Sequence, residues 1–392
     1  MMINRIKIPY IEGDGIGGDI WKSSRKLFDI AMQFVYGNKK KIEWNEIYAG
    51  EKCFKKFGRY IIDETFNEIK KEGIAIKGPL TTPVGRGFRS LNVLLRQKLD
   101  LFACIRTLKY IQGVSTPIKN PEKVNVTIFR ENTEDIYLGI EWKVNTKENL
   151  RLNQFLEDEL NVIIPKDSGI GIKPISEYKS KRLVRSAIQF AIDNNKSSVT
   201  LVHKGNIMKY TEGAFKIWGY ELAEEEFGEF TITEEKIYSH HNGILPKGKI
   251  LIKDIIADAM FQEILLRPEE YSVIATTNLN GDYLSDAISA QVGGLGLAPG
   301  VNIGEKIALF ESTHGSAPKL AGLNKANPSS LILSGCMMFD YLDWKEVASC
   351  IREALEKTIR EKVVTHDLAI QIDNAKEVKC SEFVDAIISN LS

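Results

Sequence analysis

Short apolar segments alternate with longer amphipathic segments along most of this chain, and this alternation constrains its fold most strongly. Residues 6–11 and 74–77 have the length and the Ile content of buried strands, while residues 19–34 have apolar side chains at helical spacing. Strands that alternate with helices form a parallel sheet with helices on both faces. We therefore predict an α/β protein.

The charge and cysteine content exclude several classes of protein. The 392 residues include 52 basic and 52 acidic side chains, and this balance argues against a nucleic-acid or membrane surface. The five cysteines are widely spaced and odd in number, which is atypical of disulfide frameworks and zinc sites. No secretory or membrane-spanning segment is evident. We expect a soluble, cytoplasmic protein that binds neither nucleic acid nor membrane.

Acidic residues in the segment N-L-N-G-D-Y-L-S-D, residues 278–286, predict a metal site. Asp282 and Asp286 are four residues apart, so a helix places both on one face. Such acids also occur at solvated helix ends, where they complement the helix dipole. Asp258 is a third acid, alone in an apolar helical run, where aspartate is rarely buried without a partner. Three such carboxylates predict a catalytic Mg²⁺ or Mn²⁺ site.

The densest polar cluster of the chain contains three arginines. Arg96 follows Ser90 and Asn92 in a predicted helix, and Arg106 and Arg130 each follow an apolar run, so we expect both heads at strand ends. Each arginine alone could form a surface ion pair, and Ser90 could simply cap its helix. Guanidinium groups, however, match carboxylates in a two-toothed geometry. The cluster therefore predicts a multiply charged anionic substrate.

Two glycine-containing segments are candidate phosphate sites. Gly13, Gly15 and Gly18 match the Rossmann pattern G-x-G-x-x-G, but the acid expected about twenty residues later is missing, so we favour a tight turn. The segment H-G-S-A-P-K, residues 314–319, exposes backbone N–H groups and one ammonium group. It predicts a cradle for an adenosine phosphate, with an ordinary glycine loop as the alternative.

Lys204 lies between a predicted buried strand and a glycine. It could be an ordinary surface lysine. A lysine near other cations or in a dry pocket, however, has a lowered pKa and can act as a base or proton donor. Lys204 is therefore a candidate catalytic residue.

Six segments together carry a resemblance to a known family. In order they are K-G-P-L-T-T-P-V-G, S-L-N-V-L-L-R-Q, F-R-E-N-T-E-D-I-Y, L-V-H-K-G-N-I-M-K, N-L-N-G-D-Y-L-S-D and H-G-S-A-P-K. From about Pro9 onward the chain closely resembles the isocitrate/isopropylmalate dehydrogenase family of metal-dependent β-decarboxylating dehydrogenases, and within it the prokaryotic NADP-dependent isocitrate branch. The resemblance implies large and small α/β domains that share a central sheet, without a Rossmann fold, and an intersubunit clasp.

The resemblance also implies where the domains begin and end. The large domain would comprise residues 1–101 and 293–392, and the small domain residues 102–134 and 177–292. The clasp, residues 135–176, would interlock two subunits of a homodimer.

Each candidate residue receives a role through the resemblance. The substrate carboxylates would contact Ser90, Asn92, Arg96, Arg106, Arg130 and Tyr137. Asp282 and Asp286 would bind Mg²⁺ or Mn²⁺ together with Asp258 of the partner subunit, and Lys204 would likewise serve the partner's site. Catalysis would depend on Tyr137, Lys204 and Asp282. Contacts with the cofactor would come from Thr81, His314, Gly315, Ala317, Pro318, Lys319, Asn327 and His366.

The implied activity is oxidative decarboxylation of D-threo-isocitrate to 2-oxoglutarate and CO₂ with reduction of NADP, a reaction of the citric acid cycle. Related substrates, isopropylmalate or homoisocitrate, and a non-catalytic regulatory subunit are the alternatives. Ser90 and Asn92 favour isocitrate, because an additional carboxylate needs hydrogen-bond donors whereas an isopropyl group does not.

The residues expected around the 2′-phosphate differ in part from those of NADP-preferring relatives. Lys319 is kept, but Leu320, His366 and Ile370 replace the usual two tyrosines and arginine. NAD-preferring relatives have an aspartate at the position of Lys319. The resemblance therefore implies NADP as the cofactor with weakened discrimination, so NAD is also possible.

Overall fold

The computed structural model describes residues 4–82 and 90–392, with side chains from residue 5 onward. The end of the K-G-P-L-T-T-P-V-G loop, residues 83–85, lies outside this part of the chain. The strands in chain order are β1 Asn4–Ile11, β2 Lys40–Glu46, β3 Ile74–Lys77, β4 Ala103–Lys109, β5 Asn125–Glu131, β6 Glu141–Trp142, β7 Ile170–Gly171, β8 Ser198–His203, β9 Thr231–Thr233, β10 Ile250–Ile256, β11 Val273–Thr276, β12 Pro299–Ile303, β13 Ala308–Ser312, β14 Val363–Val364 and β15 Lys376–Glu377.

The helices alternate with these strands as the sequence predicted. In chain order they are α1 Gly17–Tyr36, α2 Glu51–Phe57, α3 Asp63–Glu72, α4 Leu91–Lys98, α5 Lys147–Leu160, α6 Glu177–Asp193, α7 Glu212–Phe227, α8 Glu234–His241, α9 Ala257–Leu266, α10 Asn278–Gln291, α11 Ser329–Tyr341, α12 Lys345–Arg360, α13 His366–Ala369 and α14 Cys380–Ser389. Among the described residues, no helix combines the length and the apolar character that a membrane crossing requires.

One sheet of eleven strands organises the molecule, in the order β2-β1-β3-β13-β12-β4-β5-β11-β8-β10-β9. The strands at each end of the sheet are parallel to their neighbours, but β12 is antiparallel to both β13 and β4, and β4 is antiparallel to β5. The wholly parallel sheet that the sequence predicted is therefore wrong at the centre. The connection from β12 to β13 is too short for the crossover that a parallel pair needs.

The large helices bury the apolar faces of the sheet. Helices α1 and α11 pack on strands β2, β12 and β13, and α12 packs against both helices. The Phe28 ring of α1 and the Phe339 ring of α11 meet edge to face with centroids 5.5 Å apart. A Cβ atom at Gly335 would lie 2.2 Å from the Phe28 ring, so glycine allows the close approach of α1 and α11. The strands and helices around this one sheet confirm the predicted α/β class.

The glycine-rich turn after β1 packs against two other loops. Gly15 has φ +57°, and a Cβ atom there would lie 1.9 Å from the carbonyl oxygen of Ser316. The Asp14 N–H donates to the Pro79 carbonyl oxygen at 2.7 Å, and the Ile16 N–H donates to the Ser316 carbonyl oxygen at 2.9 Å. The close backbone contacts explain the glycines as a tight turn, as the sequence analysis favoured.

Residues 135–176, the predicted clasp, contain α5 and the antiparallel pair β6–β7. Several large apolar side chains of this segment are exposed in the single chain, namely Ile140, Leu150, Phe155, Leu160, Val162, Ile163 and Ile172. A segment with this many exposed large apolar side chains is typical of an interaction site.

Candidate active site

Arg106 and Arg130 lie on the adjacent strands β4 and β5, and α10 crosses in front of them. Arg130 donates through Nε to Asn278 Oδ1 at 2.9 Å, and its guanidinium also forms an ion pair with Asp282. Gly281 makes this contact possible, because a Cβ atom there would lie 2.6 Å from Arg130 Cγ. The metal-site helix predicted from the sequence therefore lies directly on a predicted substrate arginine.

Arg106 has the same relation to the next turn of α10. It donates to Asp286 Oδ1 and to Ser285 Oγ, both at 2.6 Å, and it is buried whereas the Asp286 side chain is half exposed. The position of Arg106 differs from the prediction, since it lies in the middle of β4 and not at its end. Helix α10 reaches it there because α10 packs against β4 and β5.

Arg96 is held by a buried network that the sequence analysis missed. Its guanidinium lies 3.0 Å from Glu311 Oε1, and the other oxygen of Glu311 lies 2.7 Å from Lys77 Nζ. Asn302 adds a hydrogen bond to Glu311 at 2.7 Å. Burial opposes ionisation of Glu311, but the charges of Lys77 and Arg96 outweigh it and hold the pKa of Glu311 far below its usual range. A single acid within the apolar run A-L-F-E-S was the available sequence signal.

The site has buried polar atoms without partners. Within the described residues, Arg96 Nε, Arg106 Nε and Asn92 Oδ1 are buried and lack any hydrogen bond. Ser90 occupies the N-cap position of α4, yet its hydroxyl makes no capping hydrogen bond, so the capping interpretation does not explain it. The two arginine Nε–H groups are buried donors without acceptors, which are costly to leave unpaired, and a polyanionic ligand would supply acceptors for them.

Tyr137 joins the arginine cluster from the turn after β5. Its hydroxyl donates to Asp282 Oδ2 at 2.5 Å, and the Arg130 guanidinium lies 4.9 Å from the centre of its ring. Burial and the bond to Asp282 raise the pKa of Tyr137 to about 12. Burial would raise the pKa of Asp282, but the Arg130 charge and the Tyr137 bond outweigh it and lower this pKa. Asp282 is therefore ionised and Tyr137 protonated at neutral pH.

Lys204 and Asp258 form an ion pair of their own. The Asp258 side chain is largely exposed, whereas the sequence analysis considered it as an acid buried in an apolar run. Among the described residues, no group of three or more acidic, histidine or cysteine side chains could hold a metal ion. Within one chain, Asp258 therefore does not complete a site with Asp282 and Asp286.

The predicted cofactor residues lie at the tight turn and in the loop after β13. Thr81 Oγ1 lies 2.7 Å from Ser316 Oγ, and the Thr81 N–H donates to the buried carboxylate of Asp14 at 2.8 Å. Burial lowers the pKa of His314, whose Nε2 is a buried atom without a partner within the described chain. The neighbouring loop residues are exposed, namely Gly315, Ala317, Pro318 and Lys319.

Two cofactor candidates are fixed by acids of the last third of the chain. Asn327 donates to Asp367 Oδ2 at 3.0 Å and is buried. His366 Nδ1 lies 3.1 Å from Glu377 Oε2, and both side chains are exposed. Among the described residues Lys319 forms no ion pair, so its ammonium group is available to an anionic ligand.

The chain is similar in sequence to proteins named isocitrate dehydrogenase. The sequence profile described as isocitrate/isopropylmalate dehydrogenase matches residues 7–387. Isocitrate dehydrogenase (NADP) of Archaeoglobus fulgidus is 56% identical over 384 residues, which cover 98% of this chain and 92% of that protein. The Helicobacter pylori protein of the same name is 54% identical over 398 residues, which cover 98% of this chain and 93% of that protein.

The solved structures give the same result for the fold. The crystal structure of isocitrate dehydrogenase from Methylococcus capsulatus superimposes with a TM-score of 0.80 at 34% identity, covering 98% of this chain and 99% of that chain. The family fold that the sequence resemblance implied, a mixed α/β fold with one large central sheet, is thereby confirmed.

Proposed function

The chain belongs to the isocitrate/isopropylmalate dehydrogenase family, and we infer that it catalyses the oxidative decarboxylation of isocitrate to 2-oxoglutarate and CO₂ with reduction of NADP. The observation that carries this conclusion is a cluster of three buried arginines whose charges all lower the pKa of one acid, Asp282. Arg96, Arg106 and Arg130 are held by Glu311, Asp286 and Asp282, respectively. A tricarboxylate has one carboxylate for each guanidinium group.

The charges of this arginine cluster fit a divalent cation together with a tricarboxylate substrate. The three arginines, Lys77 and their three acidic partners carry one net positive charge. A divalent cation and a tricarboxylate together add one negative charge, so both can enter without leaving an unpaired buried charge. The carboxylates of Asp282 and Asp286 would then bind the cation, and Arg106 and Arg130 would turn to the substrate. Hard oxygen ligands of this type suit Mg²⁺ or Mn²⁺.

We propose that the active unit is a homodimer with shared sites. Asp258 and Lys204 pair on the exposed surface of one chain, away from the pair of acids on α10. Asp258 of the partner subunit would complete the metal ligands, and Lys204 would serve the partner's site in the same way. The exposed apolar side chains of residues 135–176 would be buried between the two subunits. The domain and clasp boundaries given above are part of this proposal.

The residues of the chain would then act as follows. The arginines, Ser90 and Asn92 orient the three substrate carboxylates. When held by Asp282 and Asp286, a divalent cation would supply polarisation of the substrate oxygens, and bound NADP would supply the hydride acceptor. Lys204 of the partner subunit, or Asp282 through a water molecule, removes the hydroxyl proton. Tyr137 holds a proton on its hydroxyl, because its pKa is about 12, and delivers it to carbon once CO₂ has left.

For the cofactor, we propose that Lys319 pairs with the 2′-phosphate of NADP. Glu377 orients the His366 ring through Nδ1, and we propose that this ring also contacts the nucleotide. Thr81, His314, Asn327 and the backbone of residues 315–318 would contact the rest of the nucleotide. The cytoplasmic location stays a prediction from the sequence.

The deciding experiment measures initial rates of NADPH formation with isocitrate and Mg²⁺, with isopropylmalate as the competing substrate and EDTA as the metal control. We expect metal-dependent turnover of isocitrate and a faster reaction with NADP than with NAD. Arg130→Gln should abolish turnover, whereas Arg185→Gln, which removes an exposed ion pair with Glu226, should not. Turnover of isopropylmalate alone would refute the substrate assignment.

A further inference from the structure

Three charged side chains without a part in the chemistry proposed above form a buried cluster beside the active site. Glu212 and Asp135 are fully buried, and the Lys173 side chain is only 19% exposed. Lys173 Nζ lies 2.9 Å from Glu212 Oε1 and 2.5 Å from Asp135 Oδ1. We name these three residues the hub. Its two carboxylates share one ammonium group, so the remaining negative charge needs other hydrogen-bond donors.

Glu212 obtains those donors from two separate functional segments. Its Oε2 accepts the backbone N–H of Lys204 at 3.0 Å and the side-chain amide of Asn280 at 2.8 Å. Its Oε1 also accepts the Thr277 hydroxyl at 2.9 Å. One carboxylate therefore fixes both the main chain at Lys204 and the beginning of α10, the helix that carries Asp282.

Asp135 connects the hub to the turn that presents Tyr137. One oxygen accepts the Ile136 N–H at 2.7 Å, and the other accepts the Leu279 N–H at 2.9 Å. Asp135 has φ +69°, a left-handed conformation that a non-glycine residue keeps only where its surroundings hold it. The hub thus joins the Tyr137 turn to the beginning of α10.

We propose that the hub couples the two active sites of the dimer. The inference rests on the shared sites of the proposed function, in which each protomer keeps Tyr137 and Asp282 for its own site and gives Lys204 to the partner's site. Glu212 bonds to the elements of both. Four donors share its two oxygens, so a shift of the Lys204 main chain in one site changes the support of α10 in the other. Glu212 is a positioning residue for both sites.

Glu212→Gln removes this support with little change in shape. A glutamine accepts at only one of its two terminal atoms, so two of the four donors lose their acceptor whichever way the amide points. The Lys173–Asp135 pair remains neutralised, so the variant leaves no uncompensated buried charge. Glu225→Gln, on the exposed face of the same helix, is the matched control.

The test uses mixed dimers, purified through two different affinity tags, in which one protomer carries Asp282→Asn. Only one site is then intact, and it takes Lys204 from the Asp282→Asn protomer. Glu212→Gln is placed in either protomer. In the protomer with the intact Asp282 it should mainly raise KM for isocitrate and Mg²⁺, and in the other it should mainly lower kcat. Each placement should lower kcat/KM roughly tenfold or more, since misplacement of catalytic groups is costly.

Thr277→Val provides a milder second variant, because it removes one hydrogen bond to Glu212 and does not touch Lys204. Placed in the Asp282→Asn protomer, it should lower kcat of the intact site about two- to fivefold, which only transmission through Glu212 explains.

An effect of Glu212→Gln from one placement alone, or from neither, would refute the coupling. Lys204→Met in the Asp282→Asn protomer should abolish the remaining turnover, whereas Lys204→Met in the other protomer should not; the reverse result would instead refute the shared sites, and the coupling with them.

Discussion

Glu311 is the group whose removal should most strongly destabilise the fold around the site. It is buried, lies 2.7 Å from Lys77 Nζ and 3.0 Å from Arg96, and accepts a further bond from Asn302. Glu311→Gln would leave Lys77 and Arg96 without their common counter-charge. Breaking a buried pair in this way costs about 3–5 kcal/mol, because the remaining charges stay desolvated.

The dependence on pH follows from the direction of the pKa shift. The pKa of Glu311 is held below its unfolded value, so its stabilisation is fully present above an unfolded pKa of about 4.3 and decreases as pH falls toward the folded pKa. The difference in unfolding free energy between Glu311→Gln and the unaltered protein should therefore be constant from about pH 6 to pH 8. It should shrink only in strongly acidic solution.

The assay is guanidinium-induced unfolding followed by circular dichroism at one fixed protein concentration, since the stability of the proposed dimer would depend on concentration. Lys77→Met alone should cost less than Glu311→Gln, because Arg96 keeps its partner. Adding Lys77→Met to Glu311→Gln should recover part of the loss, because it removes one of the two unpaired charges. A loss below about 1 kcal/mol for Glu311→Gln, or a further loss in the double variant, would refute the argument.

Three further changes test separate parts of the site. Tyr137→Phe should leave KM for isocitrate nearly unchanged and lower kcat by roughly 10²–10⁴-fold, because the protonated hydroxyl is lost; steady-state rates that match the unaltered protein would contradict its role. Lys319→Asp should shift the ratio of kcat/KM for NADP over NAD at least about tenfold toward NAD, and an unchanged ratio would argue against the phosphate contact. Gly15→Ala should lower the melting temperature and raise KM for NADP, because its Cβ atom would lie 1.9 Å from the Ser316 carbonyl oxygen. Gly37→Ala has a similar positive φ but nothing within 4 Å, so it should cost only about 1 kcal/mol and leave KM unchanged.

Local sequence signals predicted the parts of the site that single elements determine. The spacing of Asp282 and Asp286 places both on one helical face whatever the rest of the chain does, and α10 agrees with that expectation. The apolar run before Arg130 likewise predicted a strand that ends near this residue, and β5 ends at Glu131. The loop that contains Lys319 was predicted because glycine and proline indicate a turn from their own backbone preferences.

Contacts between distant segments were not predictable in this way. The antiparallel pairs at the centre of the sheet depend on which strands meet after folding, and apolar composition is similar for both strand directions. Nothing in the local sequence around Glu311 or Glu212 indicates their partners. Glu311 pairs with Lys77, which lies 234 residues earlier in the chain. Only the folded chain identifies the charges that neutralise them.

The same reasoning explains why the single chain leaves Lys204 and Asp258 outside the pocket. Lys204 follows β8 and Asp258 follows β10, the neighbouring strand, and the two side chains form an ion pair at the surface. Arg130 and Tyr137 meanwhile saturate Asp282 from within the chain. In the proposed dimer, the substrate, the cation and the second subunit would replace these two internal ion pairs. Among the described residues, Glu212 is the buried carboxylate that bonds to both the Lys204 main chain and the beginning of α10, so catalysis should depend on it at both places.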